Sequence, residues 1–161
     1  MRLFLKNFLF TVIAHGTLAV YAPLLIVRDR APASSWSVFL ALPAFVVGSV
    51  IYFWCVWDFG TFGRGTPMPL DAPKRLVIRG LYRYCRNPMY VGLITLILGW
   101  VLWFQTGLLL LYVALVTLMF QLLTTLYEEP HLRRIFGADY EAYCARVGRW
   151  LPRWNRRGSP T

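Results

Sequence analysis

The sequence predicts an all-α integral membrane protein with four transmembrane helices. The last two form a tight helical hairpin, and a cytoplasmic loop and short C-terminal amphipathic helices complete the chain. Three observations carry this reading. The first is composition: 58% of the 161 residues are hydrophobic and 15% are charged, where a soluble domain carries about 25% charge. That much apolar surface cannot be hidden inside a chain of this length whose exterior faces water. A soluble globule, a disordered chain and a disulfide scaffold are excluded together. The second is the presence of long stretches without acidic or basic residues. The third is the placement of the 17 Lys and Arg residues, which outnumber the 7 acids and give a net charge of +10.

The uncharged stretches define the spans. Residues 7–27 carry no acidic or basic charge, His15 aside, and residues 38–57 are the apolar part of a second run. The third run, residues 87–127, has 41 residues. As one helix it would be about 61 Å long, twice the roughly 30 Å hydrocarbon core, so a turn must divide it. Phe104-Gln105-Thr106-Gly107 is the polar, glycine-bearing place near its middle. The expected arms are 89–104 and 108–127, the first short for a crossing. Fifteen Lys and Arg residues fall on the side of the two termini and the 58–86 loop, and only Arg28 and Arg30 fall opposite. That asymmetry places both termini in the cytoplasm. A signal peptide ending at Ala31-Pro32-Ala33 is the alternative for the first run, which is however long enough to span.

The remaining segments are not spans. Gly60, Gly63, Gly65, Pro67, Pro69 and Pro73 make residues 60–73 a loop of fixed bends. In residues 130–152, Leu132, Ile135, Phe136, Tyr140, Tyr143, Val147 and Trp150 recur at helical spacing. Gly137 interrupts them and Asp139 can cap the residues after it, which predicts two short helices on the cytoplasmic surface with arginines toward lipid phosphate. The whole chain, 1–161, reads as one domain, with its motifs in 58–152. Basic charge is explained by topology, so nucleic acid is not an expected partner; membrane lipids are. Cys55, Cys85 and Cys144 have no CxxC spacing, and neither His15 nor His131 sits in HExxH, so no metal is expected.

Two polar segments at the membrane edge could carry chemistry. In Gly80–Gly92, Asn87 can cap the third helix and Pro88 suits its first turn. With Arg86 beside it, this helix N-terminus suits a carboxylate or phosphate. Glu128 and Glu129 lie where the fourth helix leaves the membrane, at the negative end of its dipole, and need partners. The hairpin brings that end near Arg86, so an Arg86–glutamate contact and a pocket with one cationic and one anionic wall are expected. Cys85 beside arginine could have a lowered thiol pKa, a weaker idea.

Gly80-x-Tyr82-x-x-x-Arg86-Asn87-Pro88-x-Tyr90-x-Gly92, then Glu128-Glu129-x-x-Leu132-x-x-x-Phe136-Gly137-x-x-Tyr140-x-x-Tyr143 and Arg149-x-Leu151-Pro152, resembles the isoprenylcysteine carboxyl methyltransferase family and its phospholipid methyltransferase relatives. The resemblance implies a small integral membrane methyltransferase using S-adenosylmethionine on a lipophilic small-molecule or lipidated acceptor that enters from the bilayer. It implies catalytic roles for Arg86 and Glu128. It implies a cofactor site of Lys74, Arg75, Leu76, Val77, Tyr82, Asn87, Pro88, Met89, Tyr90, Glu128 and Glu129. Asn87 stands where many members have histidine, and asparagine cannot titrate. Thr124 stands where members that methylate a prenylcysteine carboxylate have an arginine, one turn before the first glutamate. A buried carboxylate acceptor would lack its countercharge there, which favours an amine, a thiol or a different small carboxylate. The alternatives are an NADPH-dependent membrane enzyme of the sterol-reductase kind and a non-enzymatic membrane assembly protein.

Overall fold

The computed structural model describes residues 11–33, 36–63 and 75–153. Helix α1 (11–27) is wound as π-helical turns at Thr11–His15 and Thr17–Tyr21 and ends as an α-helix, Ala22–Val27. Helix α2 is Ser37–Asp58 and runs into a π-helical turn, Phe59–Gly63. A 3-10 turn, Gly80–Arg83, leads to α3, Pro88–Phe104. Helix α4, Gly107–Leu123, continues through a π-helical turn, Thr124–Glu128, into α5, Glu129–Arg146. No strand forms among the described residues.

Among the described residues, two helices are long and apolar enough to cross a membrane: the 26 residues Ser37–Phe62 and the 40-residue Gly107–Arg146, whose apolar part ends before Glu128. Ile13–Val27 and Pro88–Phe104 are shorter apolar helices. The outward faces suit hydrocarbon rather than water. Phe39, Val46, Val50, Phe53 and Trp57 of α2 and Leu111, Leu115, Leu118 and Leu122 of α4 are all exposed.

Between helices in lipid there is little hydrophobic force, so close backbone approach and buried polar links do the joining. Helices α2 and α3 form the principal pair, crossing at Gly48 and Gly92. A Cβ on Gly92 would lie 2.9 Å from the Tyr52 backbone nitrogen and 3.0 Å from the Gly48 carbonyl oxygen. Farther along the same pair, Trp100 and Trp103 pack on Phe45. Helix α1 is tied in by polar atoms: His15 Nδ1 and the Tyr52 hydroxyl are 2.7 Å apart. Trp100 Nε1 donates to the Ala19 carbonyl at 2.9 Å, and the Tyr112 hydroxyl donates to the Leu18 carbonyl at 2.7 Å. Pro23 explains why those carbonyls accept. The α-helical bond to Ala19 and the π-helical bond to Leu18 would both need its missing amide hydrogen.

The hairpin turns where the sequence places it. Gln105 adopts the left-handed conformation (φ 49°) and its amide closes on the Val101 carbonyl at 2.8 Å. The Thr106 carbonyl accepts from the Leu109 amide at 3.1 Å to open α4. The tail is also broken where expected, at Gly137, with φ 49° and ψ −122°. Its apolar face has a different destination from the one the sequence suggests. Tyr140, Tyr143, Cys144 and Val147 are buried against Leu76, Leu132 and Phe136, while Ile135 stays exposed. The second half of α5 packs on protein, and two of the arginines assigned to lipid phosphate, Arg133 and Arg149, turn to Glu129. Gly60 and Gly63 lie in the π-helical turn that prolongs α2, and the rest of the expected loop of bends, residues 64–73, lies outside the described residues.

Candidate active site

The C-terminal end of α2, the N-terminus of α3 and the α4–α5 junction meet at one end of the helices. The sequence pairs Arg86 with a glutamate, and the structure identifies the acid as Glu129. Arg86 Nη1 lies 3.1 Å from Glu129 Oε1, with both side chains buried. Arg149 grips the same carboxylate with two bonds, Nε to Oε1 at 2.6 Å and Nη2 to Oε2 at 3.0 Å. Arg133 stands 3.6 Å from Oε2. Burial alone would raise the Glu129 carboxyl above its ordinary 4.5, but the Arg149 hydrogen bonds and the charges of Arg86, Arg149 and Arg133 hold it below that value.

Glu128 points elsewhere. It has no ion pair among the described residues; it accepts a hydrogen bond from the Tyr90 hydroxyl. Burial and the neighbouring Glu129 charge push its carboxyl up, against the opposing effect of the Tyr90 and Thr124 hydroxyls. Two adjacent acids are thereby driven in opposite directions.

Asn87 occupies the cap position of α3, but its side chain makes no capping hydrogen bond. Contrary to expectation, Asn87 Nδ2 donates to the Arg149 carbonyl at 3.2 Å. Pro88 sits in the first turn as predicted. Arg86 Nη1 contacts Cys144 Sγ at 2.7 Å, and its Nε is buried without a hydrogen-bond partner. A helix N-terminus without a cap bond from Asn87 and an unpartnered guanidinium nitrogen, side by side, fit the carboxylate of an amino-acid-bearing cofactor.

A segment just beyond α5 completes this end. Cys85 and Gly148 form a parallel bridge, and the Arg86 amide donates to the Gly148 carbonyl at 2.9 Å. Trp150 Nε1 donates to Gln121 Oε1 at 2.6 Å, and its ring lies 6.5 Å from that of Tyr90. Tyr90 stacks on Phe120 with ring centres 4.2 Å apart. Tyr82 is buried, and its carbonyl accepts from the Tyr143 hydroxyl at 2.7 Å. Met89 and Val77 join Tyr82 in the same buried cluster, whereas Leu76 packs on α5 and Arg75 is exposed. Lys74 lies outside the described residues. The Cys85 thiol bonds to the Arg149 and Trp150 carbonyls, both at 3.3 Å. Burial raises its pKa despite the opposing Asn87 amide and Arg86 charge, so it is no activated nucleophile. No group of His, Cys, Asp and Glu able to hold a metal occurs among the described residues.

Arg149 is part of the sequence motif, but its role at the site is not evident from spacing. Trp150, Gln121 and Asp58 escape sequence reasoning as site residues altogether. Asp58 is buried at the end of α2, an acid at a membrane edge like Glu128 and Glu129, and the same demand for a partner could have flagged it.

The family model for phospholipid methyltransferases matches residues 36–139, well over half of the chain. The chain belongs to the phospholipid methyltransferase family. Family membership indicates a membrane methyltransferase and gives no support to the reductase alternative. The match spans α2 through the Gly137 break and so takes in Arg86, Tyr90, Glu128 and Glu129. The chain is also similar to an uncharacterized protein of Haemophilus influenzae (strain ATCC 51907 / DSM 11121 / KW20 / Rd). The two are 35% identical over 63 residues, 39% of this chain and the whole of that one. No solved structure matches the chain.

Proposed function

We propose that this protein is an S-adenosylmethionine-dependent methyltransferase acting on a lipophilic acceptor at the membrane. Its four helices α1–α4 cross the bilayer, and both termini are cytoplasmic. The observation that carries the reading is the disposition of Glu128. Three arginines converge on Glu129, while its neighbour accepts from the Tyr90 hydroxyl and pairs with no cation among the described residues. A half-buried carboxylate so placed favours a positively charged ligand group.

S-adenosylmethionine would supply a methyl group on a sulfonium, open to in-line displacement. The residues of this chain would hold and orient it. Arg86 Nε and the N-terminal end of α3 take its carboxylate; Glu128 takes the ammonium or the ribose hydroxyls. Tyr82, Tyr90 and Trp150 offer ring faces to the adenine or the sulfonium. Arg75, Leu76 and Val77 form the approach to Tyr82; Lys74, outside the described residues, belongs to the proposed site on the family resemblance alone. Alignment of donor and acceptor can supply about 7–11 kcal/mol of barrier reduction without a covalent enzyme intermediate. Among the described residues, Arg133 and Arg149 are paired with Glu129 and Arg86 is shared between Glu129 and the cofactor carboxylate, so none of the three is left for the carboxylate of an acceptor. That supports an amine- or thiol-bearing lipid over a prenylcysteine carboxylate.

The test is transfer of a radiolabelled methyl group from S-adenosylmethionine by the purified protein. The acceptors are amine-bearing lipids, thiol-bearing lipids and a farnesylcysteine analogue, assayed side by side. Label is expected on an amine or thiol lipid. Efficient ester formation on the farnesylcysteine analogue would refute the acceptor class. Binding of NADPH in place of S-adenosylhomocysteine would refute the methyltransferase reading itself.

A further inference from the structure

Asp58 ends α2 with only 2% of its surface exposed. A carboxylate that deep at a membrane edge needs partners. Oδ1 has one, the Arg79 Nε at 3.4 Å. Oδ2 has no hydrogen-bond partner. It is pressed against the next residue along, Gly80, where a Cβ would fall 2.2 Å from Oδ2. Gly80 is also in the left-handed region, φ +53°, which a side chain would strain. One carboxylate thus fixes two successive residues, Arg79 by charge and Gly80 by shape. Arg79 is held on its other side by the Phe62 ring, whose centre lies 3.5 Å from the guanidinium carbon.

The turn Gly80–Arg83 starts at this contact, and Tyr82 is its buried member. The Tyr82 carbonyl is held from the opposite side by the Tyr143 hydroxyl. The turn is therefore clamped between α2 and α5, with Asp58 as the clamp on the membrane side. Tyr82 shares a buried cluster with Cys55, and Tyr90, which donates to Glu128, packs against that cluster.

We propose that Asp58 is a positioning residue for the cofactor site: it fixes the Arg79–Gly80 corner, and through it the place of Tyr82, without touching the cofactor. This rests on the methyltransferase reading above. It goes beyond it by assigning a role to a residue outside both motifs, and by adding the Asp58 carboxylate as a second, steric reason for glycine at position 80 beside its backbone conformation.

The experiment uses the full chain in detergent, with S-adenosylhomocysteine binding measured by calorimetry and methyl transfer measured at steady state. Asp58→Ala is expected to raise the S-adenosylhomocysteine Kd and the KM for S-adenosylmethionine at least tenfold. The acceptor KM, and kcat at saturating cofactor, should stay within about twofold, a split that general loss of structure would not produce. Gly80→Ala should act in the same direction. The double variant should be less impaired than the product of the two single effects, because removing Oδ2 makes room for the new methyl group. If Asp58→Ala does not fold, Asp58→Asn takes its place: it keeps the shape and loses the charge on Arg79, and a threefold or greater rise in Kd at unchanged melting temperature is expected. An unchanged Kd in the folded Asp58 variant, or single effects that multiply, would overturn the proposal and leave the methyltransferase reading intact. Failure of the wild-type protein to bind S-adenosylhomocysteine would overturn both.

Discussion

Glu129→Gln removes the charge on which three arginines converge, and its effect can be set against Glu128→Gln one residue away. Arg86 decides the magnitude: its side chain is 9% exposed and it reaches Glu129 at 3.1 Å. Without that acid a buried cation is left uncompensated, which costs about 3–5 kcal/mol. Arg133, 45% exposed, adds little because solvent screens it. At about 2–4 °C per kcal/mol for a chain of this size, the expected fall in melting temperature is on the order of 6–20 °C. Glu128→Gln breaks no ion pair, and its amide oxygen can still accept from Tyr90, so its stability cost is below about 1 kcal/mol. The assay is thermal unfolding in detergent followed by tryptophan fluorescence, paired with S-adenosylhomocysteine titration. Glu129→Gln should unfold early. Glu128→Gln should unfold with wild type and lose about 2–5 kcal/mol of binding. Equal melting temperatures for the two variants would refute the division of labour between the acids.

Three further outcomes are expected. Because the Glu129 carboxyl is held below its ordinary 4.5 in the folded protein, its stabilisation is complete above that value and is lost as pH falls through the lowered one. The gap in melting temperature between wild type and Glu129→Gln should therefore hold from neutral pH to the upper fours and close below. Gly92→Val would drive a side chain into the Gly48 carbonyl and the Tyr52 backbone, and overpacking of this kind costs about 1–3 kcal/mol, read as a lower melting temperature with α-helical circular dichroism retained at low temperature. The three native cysteines are buried, so single cysteines introduced at the open positions Gly107 and Ala142 report sidedness: an impermeant thiol reagent should label Gly107→Cys in intact cells and miss Ala142→Cys.

The hairpin was legible because its constraint is simple arithmetic. A run of 41 uncharged residues cannot cross once, and Gln105, Thr106 and Gly107 offered the one polar corner. The pairing of Arg86 with an acid followed from the same fold-back. Which acid it would be did not follow. Glu128 and Glu129 are neighbours about 100° apart on a helix, and the π-helical turn Thr124–Glu128 shifts the phase just where it matters. The Gly137 break was legible from its residue type. The docking of Gly148–Trp150 on Cys85–Asn87 was not, since a bridge between segments more than 60 residues apart leaves no periodicity to read. Asn87 shows the limit of a local rule: its position is that of a cap, but a tertiary acceptor, the Arg149 carbonyl, takes its side chain.

Pro23 has a bearing on how the helices assemble. In hydrocarbon a carbonyl without a donor is costly, and the first helix carries two whose regular partner would be this residue. The donors that reach them come from both arms of the later hairpin, Trp100 from one and Tyr112 from the other. They lie at one level on the first helix, so, with these helices across the bilayer as proposed above, they set how far the hairpin slides in as well as which face it turns inward. The same depth fixes the level of the Arg86 and Glu128 ends, which belong to those two arms. A missing hydrogen at Pro23 thus acts as a vertical gauge for Arg86 and Glu128, side chains far along the chain from it.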